Sequence, residues 1–159
     1  MFDTVLGLPV HALVVHAVVV LVPLSALGVA VIAVVPRWRV RFGPLVLAVT
    51  TAGLALVPVA TNSGEKLKDR INAGGVVKDQ IDDHQMWGER VLWPTLALWV
   101  LAVALVILSR RHRPGRAVTV AAVLAVLAAV AAVGTVGLAG HLGTTAVWSC
   151  TIGSEACTG

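Results

Sequence analysis

Four apolar stretches, each long enough to cross a lipid bilayer, leave few folds open to this chain. A hydrocarbon core of ~30 Å is crossed by a helix of ~20 apolar residues. The stretches run from about Val10 to Val35, Pro44 to Thr61, Val91 to Leu108 and Val118 to Gly140. In hydrocarbon every backbone polar group has to be satisfied inside the protein, so such stretches form helices. The expected fold is all-α: a four-transmembrane-helix bundle forming a single integral membrane domain over residues 1–159. Composition agrees, because 58% of the residues are hydrophobic and only 13% are charged. An ordinary soluble domain carries about twice that charge.

The loops differ in charge. Arg37, Arg39 and Arg41 lie between the first two stretches, and Arg110, Arg111, Arg113 and Arg116 between the last two, with no acid in either loop. The segment from Asn62 to Arg90 is mixed, with five basic residues and six acids. The positive-inside bias then sets both arginine loops in the cytoplasm and both termini and the central loop outside. The pI near 9.8 is explained by these juxtamembrane arginines, so the expected partner is the bilayer and not nucleic acid. The N-terminus carries Asp3 in place of a basic region, so the first stretch reads as a retained span and not a cleaved signal. The expected location is a bacterial plasma membrane, multi-pass, with the C-terminal tail from residue 141 onward outside. The stretch SGEKLKDRI can extend the second span, and VKDQIDDHQMWGER can form a helix feeding the third. No tandem repeat is evident.

Histidines carry the chemistry. Ionisable groups at membrane depth are costly and mark functional sites, and imidazole is a common ligand for transition metals and haem iron. His11 lies 25 residues from Pro36, His84 25 from Ser109, and His141 25 from Arg116. At ~1.5 Å of rise per residue, three helices bring an imidazole to one outer layer, with His16 ~7.5 Å deeper. His11 and His16 are offset by ~140° around their helix, so they do not suit the same ion. His112, among loop arginines, reads as a solvated residue. Gly137 shares a helical face with His141, and Gly88 with His84, which leaves room for a flat group such as a porphyrin edge. Small-residue helix packing, including a homo-oligomer through the glycine face of span four, explains the same glycines. Glu65 can accept a hydrogen bond from a ligand imidazole or pair with Lys66 or Lys68. Cys150 and Cys157 fit a disulfide in an oxidising exterior, the alternative being a metal-binding thiol pair.

The His-x4-His of His11 and His16, the Ser63-Gly64-Glu65 triplet, the His84-x3-Gly88-Glu89 segment and Gly140-His141-x-Gly143 together resemble the DUF2231 family of four-helix membrane proteins. The resemblance spans about Pro9 to Trp148. The family pattern has proline after the first histidine and an aromatic-proline pair after the second, where this chain has Ala12 and Ala17. Some members look fused to Rieske iron–sulfur domains, so the resemblance implies a redox context.

Three functions are compatible with these residues. The first is a small b-type cytochrome holding haem b near the outer leaflet through two of His16, His84 and His141, with His11 supporting a ligand or serving a second haem. It would pass electrons between quinone and an external redox protein, as an accessory redox subunit more than a stand-alone enzyme. The second is a non-haem Zn, Cu or Fe site formed by His11, His84 and His141 with Glu65. The third is a non-catalytic membrane anchor. Within the spans only one depth layer, toward the outer end, contains histidines, which argues against stacked haems crossing the membrane.

Overall fold

A computed structural model describes residues 4–5, 7–71, 75–109 and 115–148. Its helices are α1 (Val10–Val34), α2 (Pro36–Lys68), α3 (Gly75–Arg90), α4 (Leu92–Ser109) and α5 (Arg116–Trp148). Two-residue strands β1 (Thr4–Val5) and β2 (Leu8–Pro9) pair antiparallel ahead of α1, turning at Gly7 with φ 80°. With α3 and α4 taken as one broken rod, four helical segments are long and apolar enough to span a membrane. Cys150, Cys157, His112 and most of the second arginine loop lie outside the described residues.

The elements are longer than the apolar stretches that announce them. Between α1 and α2 the expected arginine loop shrinks to Val35, at φ −115° and ψ 86°. A residue before proline is pushed out of the α region, and Pro36 is preorganised for a first helical position. Arg37, Arg39 and Arg41 therefore sit on the opening turns of α2, and Pro44, expected to begin that span, lies inside the helix. Arg39 is buried: its Nε donates to the Ile32 carbonyl at 2.6 Å, and its Nη2 donates to the Ala33 carbonyl. Those oxygens belong to the last turn of α1, where carbonyls have no partner within the helix.

At the other end of the bundle, SGEKLK continues α2 as expected. The α3–α4 rod breaks at Val91. Pro94 lacks an N–H, and its ring clashes with the carbonyl four residues back, on Arg90. Lys68 ties α2 to α3 through Asp82 at 2.5 Å and Gln85 at 2.8 Å. The last helix runs past the expected stop at Gly140 to Trp148, so residues 141–148 are helical.

Helix α1 packs between α2 and α5, and α4 fills the opposite corner against the same two helices. The burial pattern is two-fold. Val18, Val22, Ser25, Val29 and Ile32 are buried in the first half. The interval that separates His11 from His84 carries them onto Val91, Thr95, Leu98, Ala102 and Leu105, all buried. Likewise the interval from Gly64 to Gly143 carries buried Thr50, Gly53, Val57 and Ala60 of α2 onto buried Ala129, Ala132, Val136 and Ala139 of α5. The structure thus reveals two quasi-equivalent halves, α1–α2 and α3–α5, where the sequence shows no repeat. The buried hydroxyls of Ser25, Thr50 and Thr95 each donate to the carbonyl four residues back. This satisfies them without a partner helix.

Candidate site: a pair of imidazoles at one end of the bundle

The first turn of α1 carries His11 and the middle of α3 carries His84; each points its ring at a neighbouring helix. His11 packs on α2 over Gly64, where an added Cβ would lie 2.9 Å from its Cε1. His84 packs on α5 over Gly143, where an added Cβ would also lie 2.9 Å from Cε1. Each glycine leaves the hollow that its histidine fills. One turn before each glycine a carbonyl takes the ring: His11 Nδ1 donates to Ala60 O at 3.0 Å, and His84 Nδ1 to Ala139 O at 2.8 Å. The Ser63 hydroxyl, which itself donates to Ala60 O, lies 3.4 Å from His11 Nδ1. The two halves therefore build the same unit, a histidine, a glycine hollow and a carbonyl four residues before the glycine.

A carbonyl only accepts, so a neutral ring bonded this way carries its proton on Nδ1 and leaves the Nε2 lone pair uncommitted. The two rings meet edge to face, with centroids 6.1 Å apart and planes at 76°. Both are partly buried. A pair of imidazoles with both Nδ1 atoms engaged can accept two hydrogen bonds, share a proton donor, or coordinate a metal through both Nε2 atoms. Fixing of the far ring nitrogen by a backbone carbonyl is the support that metal-ligating histidines usually have.

The remaining candidates lie elsewhere. His141 stands at the same height as His84, between Ala139 and Gly143, but its azimuth turns it out of the bundle and it is exposed. His16 is also exposed and bonds Ala12 O on its own helix. The shared layer inferred by counting is present, yet only two of its imidazoles meet. Gly137 is exposed, and a Cβ at Gly137 or Gly88 would meet nothing within 4 Å. The face shared by Gly137 and His141 thus looks outward; the inward face of α5 is that of Ala139 and Gly143. Glu65 is exposed, next to Gly64, and makes no hydrogen bond to an imidazole among the described residues. Sequence reasoning missed Ala60, Ala139 and the hollows at Gly64 and Gly143. A signal was available: an Ala-x3-Gly spacing occurs in both helices at the histidine height. Among the described residues no three His, Cys, Asp or Glu side chains converge on one point.

No curated protein and no solved structure matches the chain. One family model does, over residues 7–156, described as a predicted membrane protein. That match covers nearly the whole chain, including both halves of the bundle and both imidazoles, and the protein belongs to the DUF2231 family.

Proposed function

We propose that the His11–His84 pair is a bis-imidazole centre for a redox metal, and that the protein is a small b-type cytochrome-like carrier of electrons. The observation that carries this reading is the pair of Nδ1–carbonyl bonds, which leave two Nε2 lone pairs on rings 6.1 Å apart. Imidazoles bonded at ~2.0 Å on opposite sides of one metal ion have centroids ~6 Å apart. Haem iron needs only two ligands from the protein, which fits a site where no third His, Cys, Asp or Glu converges among the described residues. His11 and His84 would hold the iron. A haem held by these two histidines would supply one-electron transfer and not oxygen chemistry, because the chain would leave no iron site open for oxygen.

The chain's contribution is to fix the rings. The Ala60 and Ala139 carbonyls set the tautomers, and the helix faces at Gly64 and Gly143 set the azimuths. By the positive-inside bias the histidine end faces the exterior. There quinone in the bilayer and an external redox protein are the natural electron partners. A second reading, a bare copper ion between the two rings, is favoured by one detail: both glycine hollows are filled by imidazole and not left open for a porphyrin.

The test is an absorption spectrum of the protein purified in detergent after haem-supplemented expression. A Soret band is expected, lost in His11→Ala and His84→Ala and kept in His16→Ala and His141→Ala. Full haem retention in both of the first two variants would overturn the ligand assignment. A colourless protein with one copper per chain supports the second reading, and neither haem nor metal removes both.

A further inference from the structure

Beside His11, a cavity of about 320 Å³ opens at the end of the bundle. Its polar wall is formed by Asn62, Ser63 and Lys66 of α2, by Arg70 two residues beyond that helix, and by the edge of His11. Its apolar wall includes Val10, Val59 and Leu67, and the N-terminal hairpin closes it with Thr4 and Pro9. Among the described residues no carboxylate lines it. Two cations, a carboxamide and a hydroxyl thus look onto a space whose other wall is hydrocarbon.

One comparison sets this cavity apart. The quasi-equivalent half has no counterpart: the interval from Gly64 to Gly143 carries Asn62, Ser63 and Lys66 onto His141, Leu142 and Thr145. The imidazole unit is duplicated, but the basic cavity is not. A group that occurs in one half alone is not required by the two-fold packing.

We infer that this cavity binds the phosphate head group of an anionic phospholipid. Lys66 and Arg70 would neutralise the phosphate, Asn62 and Ser63 would donate hydrogen bonds, and an acyl chain would run down the exposed side of Val59. Cationic donors make stronger, charge-assisted bonds to phosphate oxygens than neutral donors do. A lipid fits better than a soluble anion because the cavity's apolar wall continues into the membrane-facing surface of α2, where Val59 is 44% exposed. His11 borders the cavity, but no phosphate contact is assigned to it, so the inference does not require a metal on the imidazoles.

The experiment uses the full chain in detergent, followed by its thermal unfolding midpoint. Mixed micelles of phosphatidylglycerol are expected to raise the midpoint and phosphatidylcholine micelles not to. Titration should show affinity for phosphatidylglycerol about tenfold weaker in each of Lys66→Gln and Arg70→Gln. His141→Ala, in the half without a basic cavity, should respond as the wild type does. Equal shifts with both lipids, or undiminished affinity in both charge variants, would overturn the inference. Inorganic phosphate alone matching phosphatidylglycerol, with the same loss in both variants, would keep the phosphate site but overturn its assignment to a lipid.

Discussion

Replacing Gly143 by alanine tests the imidazole unit directly. The new Cβ would lie 2.9 Å from His84 Cε1 and 3.0 Å from Nδ1. Non-bonded carbons settle at ~3.5–4.0 Å, so the ring has to retreat from α5 by ~0.5–1 Å. The 2.8 Å bond to Ala139 O is made to that same helix, so the retreat breaks it at a net cost of ~1 kcal/mol. Displacing a packed ring adds ~1–3 kcal/mol, while alanine in place of glycine in a helix returns ~1 kcal/mol. The net expectation is a loss of ~1–3 kcal/mol. Gly140→Ala is the matched control, because a Cβ there meets nothing within 4 Å. It should leave stability unchanged or raise it by up to ~1 kcal/mol. Unfolding in mixed detergent measures both, and nitrogen-15 histidine spectra report the His84 tautomer. The reasoning is refuted if Gly143→Ala unfolds with Gly140→Ala and His84 still carries its proton on Nδ1.

Gly64→Ala should displace His11 in the same way, since its Cβ would also lie 2.9 Å from the facing Cε1; the double variant measures whether the halves respond independently. Arg39→Met should cost ~2–6 kcal/mol in the same unfolding assay, because two buried carbonyls lose their donor at ~1–3 kcal/mol each. Arg39→Lys should recover part of that loss, having a point charge where two carbonyls want a fork. Gly43→Ala should be destabilising, because its Cβ would lie 2.8 Å from Val106 Cγ2, and Val106→Ala should rescue it. Lys68→Ala should speed amide hydrogen exchange in α3 more than in α4, because Lys68 joins α2 to Asp82 and Gln85.

The spans were legible because their lengths in apolar residues leave no other structure in lipid. Helix rise was enough to place the histidines at one height. Azimuth was not legible. Leu127 and Val130 of α5 are 60% and 68% exposed, yet they are as apolar as the buried Ala125 and Ala132. A helix bathed in hydrocarbon has no polar face to set its phase, so Gly137 with His141 looked as good an inner face as Ala139 with Gly143. The two-fold pattern was hidden for a related reason. Matching positions share burial and not chemistry: Val22 corresponds to Thr95, and Ser25 to Leu98. Hydroxyls that bond their own helix can exchange with aliphatic side chains without altering the packing.

The corner between α1 and α2 has a consequence for motion. Those helices cannot swing apart without leaving two carbonyls and a guanidinium unpartnered in a low-dielectric setting, so they form a stiff arm that carries His11. The other half is jointed differently. At Val91 the chain turns on backbone bonds of 3.3 Å, from Val91 to Gly88 and from Thr95 to Val91. Any change in the gap between the two imidazoles is therefore easiest through α3 hinging on α4, once His84 leaves Ala139 O and Lys68 releases Asp82 and Gln85. His11 serves as the fixed jaw and His84 as the moving one.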